Sequence, residues 1–586
     1  MSDKSFSKYT AKAAELFFLL LTFLMPLKYG TLGCMPEVSC FYPDGAIDYL
    51  YVSWPTSTFG VFSGFALLLC CLQFNTKLRF SALSLSALLF AAALPCAALW
   101  GKIIAPSSFY GDAVFSHIVS LGAYLAAAYM LVSNDSGFKN KIFHALGAGT
   151  FLLTITAFHQ YFFGFKDMLE FAKMQESQGI VLSDAIRLKL IDGRVYGAMT
   201  SANLLAGFML CTFPLLIGVA AKLSRRFEPQ KASLIIFCSV AALMGFGTLL
   251  MTKTRGAFLS LGLAAVLWMF SSDKLRKKYK ILLLVLMLAA FVSGALYIKT
   301  YGRGFGSMAE RVSYLKSSCI MLAEKPLSGH GWGEFFYRHM QLKTTSSNES
   351  AHDPHNVVAN FAVHTGVFGG LLALAAFTVP LINLWRRRSK LDTLDTLAFW
   401  GAVAGFIHAL QDINLQSPAV IATLMLLLLI TQQNREESKE ISRKYRCAAV
   451  IFMVSLGSIS CVTNWIYTRG DAALNALEEC CRPPVKEKFH LATPRNVERT
   501  LAEVNRLRPE HPFAFNLAAK FYAAYGNYSK AQEYFQKAAA LENYRRPGPL
   551  AELAKIYSMQ GKEDEAAKLR IRAHKLFPTN PEYKLQ

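Results

Sequence analysis

Residues 351–360, AHDPHNVVAN, crowd two histidines, an aspartate and two asparagines into ten positions at the edge of an apolar run. Such groups are expensive in hydrocarbon, so their place on the lip of a hydrophobic segment asks for a chemical reason. A metal site, a proton path and a base held over a substrate at the bilayer surface all fit the residue types. A metal would draw on His352, Asp353 and His355, yet no H-E-x-x-H pattern and no cysteine ligand lies nearby. A base asks for less: imidazole titrates near neutrality and can take a proton from an attacking hydroxyl. The helix beginning here would also offer free N–H groups and a partial positive charge, a seat for phosphate.

Phosphate charge could be met by three arginines. Arg255 stands in TKTRGAFLSL beside Gly256, which lets a ligand approach the backbone. Arg311 stands in MAERVSYLKSS, and Arg194 in DGRVYGAMTSANLL. A guanidinium stays charged and grips phosphate oxygens through paired hydrogen bonds. Any one of them alone reads as interfacial snorkelling; three beside a histidine favour an anionic headgroup. His408, Gln411 and Asp412, in GFIHALQDINLQSP, suit either an ion relay or a supporting wall of the same cavity.

The elements that must hold these residues are membrane helices. The chain has 586 residues, 53% of them hydrophobic, and about thirteen apolar stretches long enough to span lie between Ala13 and Trp465. The first lacks a following cleavage site and reads as a retained helix. The net charge of +22 gathers in short connectors: TKLR, KLSRR, DKLRKKYK, WRRRSK and NREESKEISRKYR. That is a positive-inside pattern, and with no nucleic-acid motif beside it, nucleic-acid binding is excluded. Cysteine spacing suggests no metal; Cys34 and Cys40 share one loop and suit a disulfide in an oxidising compartment.

With the basic connectors in the cytoplasm, the N-terminus is inside. The large loops at about 165–198 and 299–355 fall outside, as does everything beyond the last span. This divides the chain into a membrane domain (1–467), a linker (468–490) and a separate soluble domain (491–586). In the last, Tyr522, Gly526, Ala531, Phe535 and Ala538 are echoed 35 residues later by Tyr557, Gly561, Ala566 and Ala573, with Pro578 closing the second unit. Small residues at these offsets let antiparallel helices pack closely, as in tetratricopeptide (TPR) repeats.

Four pieces in order resemble the bacterial O-antigen ligase family, whose superfamily includes O-antigen polymerases and O-linked protein oligosaccharyltransferases. They are GRVYGAMTSANLLAGF, TRGAFLSL, ERVSYLKSSCIMLAEKPLSGHGWG and HNVVANFAVHTGVFGG. The resemblance covers roughly residues 190–430. Its H-D-P-H-N sequence departs from the H-x-H-N or lone H-N form of many relatives. The resemblance implies an all-α, polytopic membrane glycosyltransferase of the polyprenyl-donor type, working without metal or cofactor. It implies transfer of a glycan from undecaprenyl diphosphate to an acceptor outside a bacterial inner membrane, in ligases the lipid A–core oligosaccharide. On that basis His355 is the expected general base, and Arg255 and Arg311 the diphosphate clamps. Arg194, Asn203, Gly256, His352, Asn356 and Asn360 are expected to bind substrate. The catalytic loops and C-terminal domain would be periplasmic, and the repeats would hold a protein partner.

The chemistry agrees independently. Diphosphate leaves well when its charge is neutralised, and attack on the opposite face of an oxocarbenium-like centre inverts configuration. A polymerase or a protein oligosaccharyltransferase fits the same residues with another acceptor. A transporter using His408 and Asp412 lacks the expected inverted repeat.

Overall fold

A computed structural model describes residues 3–33, 46–72, 79–80, 82–105, 109–177, 190–227, 230–271, 276–282, 284–285, 306–343, 351–432, 439–440, 443–482, 486–580 and 583. Cys34 and Cys40 lie outside them. The first half holds α1 (Asp3–Lys28), α2 (Ala46–Tyr51), α3 (Thr56–Cys71), α4 (Ala82–Leu88), α5 (Leu94–Ile104), α6 (Phe109–Asn134), α7 (Phe138–His159) and α8 (Phe165–Ser177). Single π turns join α4 to α5 and α7 to α8. Next come α9 (Ala202–Phe227), α10 (Lys231–Met251), α11 (Arg255–Ser271), α12 (Gly306–Glu324), α13 (Glu334–Leu342), α14 (Val357–Arg386), α15 (Thr393–Ala409), α16 (Pro418–Ile430) and α17 (Arg443–Cys481). The tail adds α18 (Pro494–Leu507), α19 (Pro512–Ala524), α20 (Tyr528–Leu541), α21 (Pro547–Met559) and α22 (Glu563–Leu576).

Among the described residues, eight helical segments are long and apolar enough to cross a membrane, and α3, α11 and α16 are shorter apolar helices. The chain is thus an all-helical, multi-pass membrane protein. Of the expected spans, α15 is a further helix carrying Asp395 near its start, and the span expected after Lys280 lies mostly outside the described residues. Apolar sequence on every face of a helix demands neighbours on every face, and all thirteen residues of α16 are buried. By contrast α10 and α17 keep exposed Ile235, Leu243, Phe246, Ile451, Val462 and Trp465, an outer surface suited to lipid.

Among the described residues, connectors assigned to one side meet in two places. Strand β1 (Arg79–Phe80) pairs antiparallel with β2 (Lys439–Glu440), joining two basic connectors. Lys139 binds Asp395 at 2.7 Å, again between ends placed in the cytoplasm. At the opposite end Gly30 bridges to Met199.

The segment 468–490, expected as a linker, is helical as far as Cys481. The charges after Trp465 end the apolar pattern without ending the helix, because Ala473, Leu474, Leu477 and Cys480 pass directly into the core of the tail. Nor is the tail separate from the bundle. Arg508 pairs with Asp471 of α17, and Asp471 accepts from Ser57 Oγ of α3 at 3.2 Å. Gly60 and Gly64 let α3 lie against α17, where added Cβ atoms would run into Asn464 and the Gly457 carbonyl. In the tail, α19–α20 and α21–α22 form two hairpins turned by Gly526 and Gly561, both at positive φ.

Candidate functional site

His355 lies in the turn that feeds α14, at φ +54°. This left-handed backbone is uncommon outside glycine and is held by Asp353, whose Oδ1 accepts the His355 N–H at 2.7 Å. The imidazole stacks on Tyr314 of α12, ring centres 4.8 Å apart. Its Nδ1 is buried, 4.0 Å from Asp353 Oδ1, and the side chain remains 22% exposed. Gln416 holds Asp353 in turn: its amide donates to Asp353 Oδ2 and, at 2.9 Å, to the Tyr110 hydroxyl. Burial raises the Asp353 pKa, with His355 and these hydrogen bonds opposing it.

The turn after α15 gathers the other groups. Asn356 Nδ2 donates to Leu410 O at 2.7 Å, and Arg311 Nε donates to Gln411 O, also at 2.7 Å. Consecutive carbonyls therefore bind the histidine's neighbour and the arginine. Arg311 also pairs with buried Asp412 at 3.0 Å. Gln411 reaches across to Gly256 O and Ser260 Oγ at the start of α11, where Arg255 is exposed. Arg194 donates to Thr252 O, Asn203 Oδ1 and Thr254 Oγ1 at 2.7–3.1 Å. Burial lowers its pKa; Asp192 and Asp412 oppose the shift, while Arg255 and Arg311 add to it by repulsion. Arg194 thus lies within the electrostatic reach of both other arginines, at the end of the bundle that carries His355.

Several expected substrate ligands have structural partners here. Asn356 caps α14, its Oδ1 accepting the Val358 and Ala359 N–H groups at 2.9 Å, so these amides are already engaged. The Gly256 carbonyl is bound by Gln411, and Asn203 orients Arg194. Asn360 is buried, with no partner for its Oδ1 among the described residues. His352 is sandwiched between Phe336 at 4.6 Å and Tyr110 at 5.9 Å. Among the described residues no cluster of three His, Cys, Asp or Glu suits a metal. Asp412 is occupied by Arg311 and the Ile413 N–H, which favours the wall over the conduction path.

Sequence reasoning missed Tyr314, Gln416 and the way α14 is broken. At Gly366 (φ +81°, ψ 177°) the helix opens, and the segment Pro326–Gly331 fills the gap. His330 N and Gly331 N donate to the Val363 and His364 carbonyls, both at 2.9 Å, while Val367 N donates to Pro326 O at 2.8 Å. Trp332 then stacks on His364 and donates its indole N–H to Ala98 O. The GHGWG stretch is thereby locked into the bundle just before α13.

Burial holds His352 at a pKa of about 4. His339 is also brought to about 4, by burial first and then by Lys343 and His355. Unfolded histidines take up protons near 6.5, so in this interval the unfolded chain binds more protons than the folded one. The stability carried by these packed rings is full above about pH 6.5 and declines as pH falls toward 4, by at most roughly 3 kcal/mol per histidine. Thermal unfolding in detergent should show Tm dropping between pH 7 and 5, with a shallower slope in His339→Gln. Parallel slopes would refute this.

The fold and site define a multi-pass helical membrane protein with an arginine-rich polar site at one end of its bundle. Residues 240–374 match the family model described as O-antigen ligase, and this stretch supports that family for the chain. The match includes Arg255, Arg311 and His355 but not Arg194 or Asn203. No curated protein matches the chain. The matched domain supports a membrane glycosyltransferase of the O-antigen ligase or polymerase type.

Proposed function

We propose that the chain transfers a glycan from undecaprenyl diphosphate to an acceptor hydroxyl on the periplasmic face of a bacterial inner membrane, with lipid A–core oligosaccharide as the acceptor. The observation that carries this reading is the convergence of Arg194, Arg255 and Arg311 around the Gln411–Asp412 turn, with Tyr314 holding His355 one helical turn from Arg311.

His355 accepts the proton of the acceptor hydroxyl, whose oxygen attacks the anomeric carbon. The bond from that carbon to the diphosphate oxygen breaks, and undecaprenyl diphosphate leaves with the electron pair. Arg255 and Arg311, supported by Arg194, neutralise the growing charge. Attack opposite the leaving group inverts the anomeric centre. Asp353 orients the imidazole, the part a buried carboxylate plays beside a catalytic histidine; the 4.0 Å separation is of the kind that tightens when substrate binds. The two tail hairpins, read as TPR-like repeats, supply a surface for a protein partner. Their docking beside the catalytic loop keeps a protein acceptor as the second reading.

Because arginines carry the charge neutralisation, purified enzyme in nanodiscs should transfer glycan from lipid-linked donor to lipid A–core at an unchanged rate in excess chelator. Loss of transfer, restored by one divalent cation, would return His352 and Asp353 to the role of ligands. Transfer only to a second lipid-linked glycan, or only to a peptide, would replace the acceptor.

A further inference from the structure

Helix α13 is nine residues long and lies between the tail and the catalytic turn, with a different chemistry on each side. Toward the tail, Tyr337 donates its hydroxyl to Glu542 Oε1 at 3.1 Å, and Glu334 pairs with Arg545. The Arg545 guanidinium also covers the Tyr337 ring at 4.4 Å, and Lys343 sits 4.2 Å from the ring centre of Phe577. Toward the site, Phe336 stacks on His352 and Phe335 on His339. His339 meets Tyr314 edge-on at 5.1 Å, and Tyr314 stacks on His355. Two chains of ring contacts therefore run from α13 into the turn 351–356.

The tail segment that grips α13 is itself unusual. Asn543 and Tyr544, between Glu542 and Arg545, both have positive φ, at +53° and +55°. Two successive non-glycine residues in this conformation are costly and persist where surrounding contacts over-determine them. The turn presents Glu542 and Arg545 to the same short helix. A tail that merely hung from α17 would need neither the strained turn nor the pair.

We propose that the tail turn Glu542–Arg546 is a clamp that positions His355 by holding α13 against the catalytic turn, so that turnover depends on the docked state of the tail. A partner bound to the helical hairpins then acts on the rate by tightening or releasing this turn. The proposal rests on the reading of His355 as the base. Glu334, Tyr337, Glu542 and Arg545 are positioning residues; none touches substrate.

The test uses the full chain in nanodiscs. Glu542→Ala combined with Arg545→Ala removes both polar contacts and should speed hydrogen exchange at 542–546 and also at 351–356. Single-turnover rate should fall about tenfold or more, the scale of a small misplacement of a catalytic group, with donor affinity within twofold of wild type. Glu334→Arg alone should lower the rate similarly, and Glu334→Arg with Arg545→Glu should recover at least half of it. A tail that only stabilises the fold would lower the active fraction without altering the rate of the molecules that remain active. Opened exchange at 542–546 with unchanged exchange at 351–356 and an unchanged rate overturns the clamp. If exchange at 542–546 does not open, the charge-swap pair decides: no loss in Glu334→Arg, or no recovery in the double variant, also overturns it. The base reading fails separately, if His355→Ala retains turnover, and exchange at 351–356 still judges the clamp in that event.

Discussion

His355→Ala is expected to lower the single-turnover transfer rate by about 10²–10⁴-fold, the range for a lost general base, while donor binding stays close to wild type. The separation follows from geometry: Arg194 and Arg311 are held by Asn203, Thr254, Gln411 and Asp412, none of which depends on the imidazole. Alanine at φ +54° also strains the turn, so His355→Asn is the sharper control. Asparagine tolerates the left-handed backbone and keeps the N–H that Asp353 accepts, but it is no base. Both variants should lose turnover alike. An active asparagine variant would assign the effect to the turn, and near-normal turnover in both would end the proposed mechanism.

Gly366→Ala should be the most damaging single change for the fold, costing more than about 4 kcal/mol, in the range reserved for identifiable structural failure. Two causes act together. The position has φ +81° and ψ 177°, a region open essentially to glycine alone. An added Cβ would also be driven into the backbone carbonyl of Leu327, part of the segment that satisfies the broken helix. Gly193 provides the comparison: it too has positive φ, but its Cβ would meet only Lys253 Nζ at 3.8 Å. Gly193→Ala should therefore cost about 1–2 kcal/mol, the backbone term alone. Thermal unfolding of both variants in the same detergent checks the contrast. Equal losses would show that the fit of the inserted segment contributes nothing.

What could be read in advance follows from what is local. Apolar run length gave the multi-pass, all-helical character, because it depends on composition within one segment. The arginines and His355 stood out by type. Their partners did not, since Gln416 joins Tyr110 to Asp353 across 306 and 63 positions of sequence and no periodicity records such pairs. His352 drew attention as a polar group, yet its environment is set by Phe336 and Tyr110 on other elements. The break in α14 was hidden because one glycine in an apolar run leaves hydropathy unchanged. The extent of α17 was missed for the opposite reason: a change from apolar to charged residues marks the edge of a solvent, and a helix can cross that edge.

That continuous helix has a mechanical consequence. Its 39 residues amount to about 58 Å of rigid rod, against about 30 Å of hydrocarbon to traverse. Nearly half its length is therefore available as a mast above the bilayer. Height and azimuth of the tail become properties of residue count: each added residue lifts it by about 1.5 Å and turns it by about 100°. Even a whole-turn insertion, which restores the azimuth, lifts the tail by about 5.4 Å, so any change in the length of the mast parts Glu542 and Arg545 from the helix they grip.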